Sequence, residues 1–562
     1  MMSVRFHHKH PLAFTACFLV LGAILGKHTI AFIAAAGTIL LLTKRYCWRE
    51  YMLSGMAMAL GFLSFNYHFQ EYKNTQGALQ NNDLIQVFVT AQSRNSKGLQ
   101  LKAIVKAYYN GEAWKALPSY EVEWWQKEVI DITPGSLIAI KGAKLKIPQK
   151  RKYPFMFDEA AYHLGQKKLG RLNVQNAQIY GLRCDSNSLE YKRFQYKNTI
   201  LLRLDQVLSP RAHALFAGLI LGDKSEITPA EKRQFQQAGL MHILSVSGMH
   251  LGLIYWLLSW PITRLAKRNR KYKKLEILLL PLIWAYAFLT GMAPPVFRAA
   301  AFITAFLGTR IVLKRSIRLS DLLASAACLQ VFLDPLALFS VSFQLSFAAM
   351  LGIAFWFPLW QEIWERKIKK GTYLGDLLGM SLCCTLTTLP LTLYHFHAFP
   401  TWFLLGNLVF TLPFTALMYV FVALSLSVFM SFQGVSTVLS AISEYIISFL
   451  YTVLNGQSKL PLSYLYAFDF GFIDALLASI GIYILWRCAT GIPSLSISWI
   501  KFAVLLWFIW GVFRVPQFLF SGEAQSGLKL SPNSLQLLGR FSQSQNKDTV
   551  YLRIVKPKQL ME

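Results

Sequence analysis

Acidic residues are scarce in this sequence. Its 28 aspartates and glutamates face 57 lysines and arginines, a formal net charge of +29 over 562 residues. Charged residues make up only 15%, below the roughly one quarter of a soluble domain, which excludes a single water-soluble domain as the whole chain. Cysteine is sparse as well. Of seven, Cys17, Cys328, Cys383 and Cys384 lie in apolar stretches and only Cys184 falls in a segment of soluble texture. No CxxC spacing occurs, so neither a disulfide framework nor a cysteine zinc site is supported. HExxH is absent, as is any repeat of fixed period. What remains is 54% hydrophobic residues. Long apolar runs recur from residue 275 to the mid-500s, which reads as a multi-pass membrane protein. Much of a basic excess in such a protein lies in cytoplasmic loops, and it also suits anionic lipid or nucleic acid.

The start, Arg5-Phe6-His7-His8-Lys9-His10 followed by an apolar run over 11–26, has the look of a signal peptide. Two further apolar runs, 29–42 and 52–69, follow closely, so residues 1–70 are expected to be retained transmembrane helices. From 71 to 198 the texture changes to short alternating runs at 83–92, 98–109, 120–125, 136–147 and 173–182. Period-two alternation with β-branched residues predicts about five strands, hence a small antiparallel barrel or sandwich, OB-like by preference. Pro134-Gly135 supplies a turn. Residues 199–237 are expected to form a connector with an interfacial or re-entrant element, and its Asp223-Lys224 a solvated pair or part of a site. Later spans are expected near 277–290, 296–312, 319–332, 338–360, 374–394, 402–429, 435–453, 471–486 and 499–512, making 238–515 a multi-helix domain before a short polar tail, 516–562. The cluster Arg264, Lys267, Arg268, Arg270, Lys271, Lys273 and Lys274 marks a cytoplasmic loop. Counting back places the β domain outside the cytoplasm and the N-terminus inside.

One apolar segment, 238–260, carries four polar groups in its first half: His242, Ser245, Ser247 and His250. Such groups are costly at membrane depth and usually face a bundle interior or a water-filled path. Read as one helix, it places Ser245, Gly248 and Gly252 on one stripe, with Gly248 and Gly252 in a GxxxG packing pattern. Ser247 and His250 then share another face, and His242 and Ser245 form a similar pair. Two histidines eight apart without a carboxylate or cysteine make no zinc site. A serine hydrolase needs a positioned base, and Gly-x-Ser-x-Gly is absent here. Arg298 opens an apolar span whose helix starts no earlier than Pro295, and could bind phosphate or reach to the interface. Gln344, Ser346 and Asn407 place further polar groups inside other spans. Together these side chains read as the lining of a shared cavity. In the β domain, Lys141, Lys144, Lys146, Lys150, Arg151 and Lys152, with Trp124 and Trp125, could follow a nucleic acid strand by phosphate pairing and base stacking, or be a solvated face over core aromatics.

The run Gly239-Leu240-Met241-His242-Ile243-Leu244-Ser245-Val246-Ser247-Gly248-Met249-His250 resembles the signature of the ComEC family of bacterial DNA-uptake channel proteins. The likeness extends in order to Pro154-Phe155-Met156-Phe157-Asp158, Gly222-Asp223-Lys224, residues 294–300, Asp334-Pro335, Phe343-Gln344-Leu345-Ser346-Phe347 and Leu389-Pro390. The resemblance implies passage of single-stranded DNA across the cytoplasmic membrane during competence, an extracytoplasmic OB-like domain, and partners among other competence proteins: a DNA receptor, a cytoplasmic ATPase or single-strand-binding protein, and a separate nuclease. Many members also carry a metallo-β-lactamase-like domain. This sequence has no His-x-His-x-Asp-His motif, and its tail is short for that domain, so catalysis by this chain is in doubt and no cofactor or metal is expected. The rival readings are an intramembrane hydrolase using His242, Ser245 and His250, and a transporter of another anion.

Overall fold

The computed structural model describes residues 48–95, 98–126, 132–149, 158–174, 177–312, 319–368, 372–461, 463–466 and 470–490. The chain divides into Met1–Ile509 and Trp510–Glu562, and the second unit lies outside the described residues. So do the expected spans 11–26, 29–42 and 499–512, the polar tail, and Lys150, Arg151 and Lys152.

Helix α1 (Trp48–Asn81) continues past the expected end at 69 and runs almost directly into the sheet. Eight strands follow: β1 (Leu84–Asn95), β2 (Gly98–Tyr109), β3 (Trp114–Ala116), β4 (Glu121–Gln126), β5 (Ser136–Lys141), β6 (Lys144–Lys146), β7 (Lys168–Asn173) and β8 (Gln178–Cys184), with the short helix α2 (Glu159–Gly165) before β7. Period-two alternation buries Ile85, Val87, Val89, Leu101, Ala103, Val105, Val122, Ile138 and Ile140 on one face. The hydrogen-bonded order is β6-β7-β4-β2-β1-β5-β8, an open path with β3 beside β2. The sheet is mixed rather than antiparallel, because β4 and β7 pair in parallel. The run expected as one strand over 136–147 breaks at Gly142-Ala143, where Gly142 takes φ +80°. At the Pro134-Gly135 turn, Gly135 has φ +90°, and a Cβ there would lie 2.6 Å from Ser188 Oγ, so only glycine fits.

Trp124 is corrected from a base-stacking candidate to a core residue. Its side chain is 0% exposed, since register pairs Trp124 with buried Leu101. Trp125, one residue on, faces the other way and carries the Arg171 guanidinium 5.3 Å above its ring. Lys141, Lys144 and Lys146 are exposed.

The domain core runs on into the helices. Val331, Leu336, Ala337, Leu338 and Phe343 join the same apolar cluster. Asp334-Pro335 explains the docking surface. Proline ends helix α9 (Leu319–Leu333) and starts a 3₁₀ turn, Pro335–Phe339. Phe339 meets Phe65 of α1 with centroids 5.2 Å apart, Asp334 Oδ1 pairs with Lys167 Nζ at 3.2 Å, and Tyr72 Oη donates to Lys168 O at 2.7 Å. A Cβ on Gly165 would lie 2.4 Å from Ser340 N.

Between the sheet and the spans come α3 (Leu189–Asp205), α4 (Pro210–Ile220), α5 (Pro229–Gln237), α6 (Gly248–Arg268), a 3₁₀ segment (Arg270–Leu279), α7 (Leu280–Leu289) and α8 (Pro294–Leu307). After α9 come α10 (Val341–Leu351), α11 (Phe357–Ile368), α12 (Tyr373–Phe396), α13 (Phe403–Phe429), α14 (Gln433–Ser458) and α15 (Phe472–Ala489). Among the described residues, four helices are long and apolar enough to cross a membrane: Val341–Ile368, Tyr373–Phe396, Phe403–Phe429 and Gln433–Ser458. The first is interrupted by a π-turn at Gly352–Trp356. A Cβ on Gly352 would sit 2.4 Å from Cys383 O, so this turn lies directly against the α12 backbone, and Phe355 O accepts from Trp486 Nε1 at 3.0 Å. Gly375 and Gly379 of α12 receive the indoles of Trp364 and Trp360, whose rings stack at 5.4 Å.

Candidate functional site

The segment expected as one span from 238 to 260 is not one helix. Helix α5 stops at Ala238, Gly239 turns with φ +75°, and helix α6 starts only at Gly248. Leu240, Ile243, Leu244 and Val246 are buried and pin the loop, while Met241 and His242 are exposed. Close packing fixes its first turn: a Cβ on Gly239 would meet Phe403 Cβ at 2.9 Å and Pro400 Cγ at 3.1 Å. Serine before a helix is a capping residue, so the apolar pattern runs across a true break.

That break reassigns the polar groups. His242 Nδ1 lies 3.1 Å from Gly239 O, and Ser245 Oγ donates to Met241 O and His242 O at 3.4 and 3.3 Å. Each serves the backbone of its own loop, so the expected His242–Ser245 side-chain pair does not form. Ser247 and His250 do meet. The Ser247 N–H donates to His250 Nδ1 at 3.1 Å, and Ser247 Oγ lies 2.9 Å from the same nitrogen. A backbone N–H can only donate, so Nδ1 is the acceptor and the ring hydrogen resides on Nε2. Nε2 is buried without a hydrogen-bond partner, and His250 is 0% exposed. The pair closes the first turn of α6; Nδ1 is already occupied by the backbone and no third group orients the ring, unlike an activated serine.

Helix α8 stands across this turn. Gly248 packs there, a Cβ lying 3.3 Å from Ala299 Cβ and 4.0 Å from Pro295 O, whereas Gly252 has open space within 4 Å. The GxxxG contact therefore reduces to Gly248 against the Pro295 turn. Pro294 and Pro295 occupy the first positions of α8, where a missing N–H costs no hydrogen bond. One turn later Arg298 Nη2 donates to Ser342 O and Oγ, both at 2.9 Å. Its Nε and Nη1 are buried without hydrogen-bond partners. A snorkelling arginine ends in water; this one ends on α10.

The remaining candidates form separate pairs. Gln344 Nε2 donates to Leu338 O at 2.8 Å, and its Oε1 lies 2.6 Å from His395 Nε2. Asn407 Nδ2 donates to Ser381 Oγ at 2.7 Å, leaving Oδ1 buried and without a hydrogen bond. Ser346, on the helix of Gln344, is half-buried. No hydrogen bond joins these pairs to Arg298 among the described residues.

Two partners carry no local signal in the sequence, His395 and Ser381, since the groups they meet lie 51 and 26 residues away. Asp223 is bound by Lys197 Nζ at 2.7 Å and by Ser225 Oγ at 2.6 Å, so it is not a free solvated carboxylate. Lys224 and His242 lie within charge-interaction range of His250. Among the described residues no three histidine, cysteine or acidic side chains gather to hold a metal.

Residues 219–491 match the family model described as Competence protein. ComE operon protein 3 of Bacillus subtilis is 28% identical over 288 residues, 51% of this chain and 35% of that protein. An uncharacterized protein of Aquifex aeolicus is 31% identical over 151 residues, 26% of this chain and 34% of its own length. Uncharacterized protein YcaI of Escherichia coli is 28% identical over 224 residues, 37% and 28% of the two chains. The chain thus spans about a third of the length of the curated relatives it matches. No solved structure matches it. The signature loop, Arg298 and the Asp334-Pro335 turn all lie inside the matched region, so residues 219–491 form a competence-family region of the ComEC type.

Proposed function

We propose that this protein conducts single-stranded DNA across the bacterial inner membrane during natural transformation. The observation that carries the reading is Arg298. Its guanidinium sits within the helical region, held on one edge by Ser342, with Nε and Nη1 turned to no protein acceptor. A cation buried without a counter-charge costs several kcal/mol, roughly, and an anion arriving at the open edge would relieve it. His250 presents a second buried donor at Nε2, with Lys224 and His242 near it. Donors without carboxylates suit a strand of phosphodiesters, whereas acids on the route would repel it.

The β domain fits an OB-like barrel in this reading. If β5 and β6 are one strand interrupted at Gly142-Ala143, the order β5-β1-β2-β4-β7-β6 returns to its start, with β4 and β7 the parallel pair. The domain then stands outside the cytoplasm with its exposed Lys141, Lys144 and Lys146 facing incoming DNA, and the N-terminus lies inside. Nuclease, ATPase and receptor functions belong to partner proteins. The test is transformation of a strain whose sole copy carries Arg298→Glu. Uptake should fall to background with membrane abundance unchanged, and Arg298→Lys should retain part of it. Normal transformation by Arg298→Glu refutes the assignment.

A further inference from the structure

A second group of cations stands between the sheet and the signature loop. Lys102 lies on β2, Arg193 and Lys197 on α3, Lys224 on the loop after α4, and Lys232 on α5. Specific contacts gather them. Arg193 Nη2 donates to Thr90 O at 2.7 Å, and Thr90 Oγ1 donates to Lys102 O at 3.2 Å, which seats α3 on the β1–β2 hairpin. Lys197 Nζ meets Asp223 Oδ2 at 2.7 Å and draws the following loop onto the same helix. Lys232 Nζ donates to Lys224 O at 3.0 Å, closing the group from the other side.

The balance of charge is one-sided. Asp223 is engaged by Lys197 and Ser225, and Glu190 interacts with Arg193. Among the described residues no carboxylate lies within 4 Å of the Lys102, Lys224 or Lys232 ammonium. All three lysines are half-buried rather than splayed into solvent. Burial, then the Lys232 and Lys102 charges, push the Lys224 amine below its ordinary value. Half-buried like charges without counter-ions repel, and a polyanion relieves that repulsion while releasing its own condensed ions.

We propose that Lys102, Lys224 and Lys232 form a binding site for the phosphodiester backbone of a single strand, at the junction where the sheet gives way to the signature loop. The site rests on the DNA-passage reading and adds a place where the strand is held before it reaches His242, His250 and Arg298. The position follows from connectivity: β2 supplies one cation, and Lys224 lies within charge-interaction range of both the other lysines and His250.

The test uses the full chain in phosphatidylcholine nanodiscs and a fluorescent oligothymidylate, with anisotropy read over a salt series. Wild type should bind with a steep salt dependence. The triple variant Lys102→Gln, Lys224→Gln, Lys232→Gln should weaken binding roughly tenfold or more, with the log–log salt slope flatter by about 2, close to 0.7 per lost phosphate contact. The triple Lys→Arg variant should bind as wild type, which separates lost charge from lost folding. In wild type, the oligonucleotide should also protect Lys224 and Lys232 from amine acetylation, read by mass spectrometry. Unchanged affinity and slope in the glutamine variant overturn the site while leaving the passage reading intact. Absence of any binding by wild type overturns both. Protection of the same lysines by phosphatidylglycerol discs without oligonucleotide assigns the cluster to a lipid headgroup and overturns the proposal.

Discussion

Three glycines around the signature loop allow the local geometry to be tested by single methyl additions. Gly239 combines a left-handed backbone, φ +75°, with a site where a new Cβ would lie 2.9 Å from Phe403 Cβ and 3.2 Å from Phe403 Cα. Gly222 has the same φ, but a Cβ there finds its neighbours at 3.5 and 3.6 Å, ordinary contact distances. Gly252 is helical and has open space. The left-handed penalty for a non-glycine residue is about 1–2 kcal/mol, and overpacking adds about 1–3, so Gly239→Ala should cost about 2–5 kcal/mol. Gly222→Ala should cost only the backbone part, about 1–2 kcal/mol. Gly252→Ala should be neutral or stabilise by about 0.5–1 kcal/mol, through a better helix residue. The assay is reversible unfolding in mixed dodecyl sulfate–detergent micelles followed by tryptophan fluorescence. The two extremes should differ by well over tenfold in the unfolding constant, since about 1.4 kcal/mol is tenfold. Equal effects of Gly239→Ala and Gly252→Ala would refute the loop; that outcome belongs to a continuous helix from 238 to 260.

Two further outcomes concern the β domain and the helix hairpin. Burial, helped by Lys168 and Arg171 and opposed by Glu123 and Glu159, holds the His163 imidazole below its ordinary value. The folded state therefore binds fewer protons here than the unfolded state. The stabilisation is present above the unfolded value of about 6.5 and is lost as pH falls below it, through the depressed folded value. Wild type should lose more thermal stability between pH 7.5 and pH 5, as set in roughly that window, than His163→Gln does; parallel loss in both removes His163 as the cause. At the α11–α12 hairpin, Gly379→Ala places a methyl within 2.1 Å of the Trp360 ring and so displaces it. It should cost about 1–3 kcal/mol with a red-shifted tryptophan emission. Combined with Trp360→Ala the loss should fall short of the sum of the two single losses, and strict additivity would count against the contact.

The helices were legible because their apolar runs are long and nearly unbroken: the expected runs 374–394 and 435–453 lie inside α12 and α14, and 402–429 matches α13 to within one residue. The strands were legible where alternation was clean, as in β1, β2 and β4. β3 and most of β7 were not, since runs of three or six residues carry little periodicity and the parallel pairing of β4 with β7 joins segments far apart in sequence. Composition likewise carried the membrane class and the basic excess.

The signature residues were visible as a group, and Ser247 with His250 as a pair three apart. Their geometry was not visible, for a physical reason. Apolar periodicity reports which residues avoid water, and Leu240, Leu244 and Val246 avoid it as well in a pinned loop as in a helix. Only packing of Gly239 against Phe403 and Pro400 decides between the two. Trp124 and Trp125 look alike in sequence, and register alone sends one into the core and the other beneath Arg171. The sequence by itself determined a basic, helical membrane protein with a strand-rich insertion and a family signature. The tertiary structure decided which polar groups are spent on their own backbone, as His242 and Ser245 are, and which, like Arg298 and His250, keep a buried donor unspent. That division depends on neighbours tens of residues away, which no local pattern records.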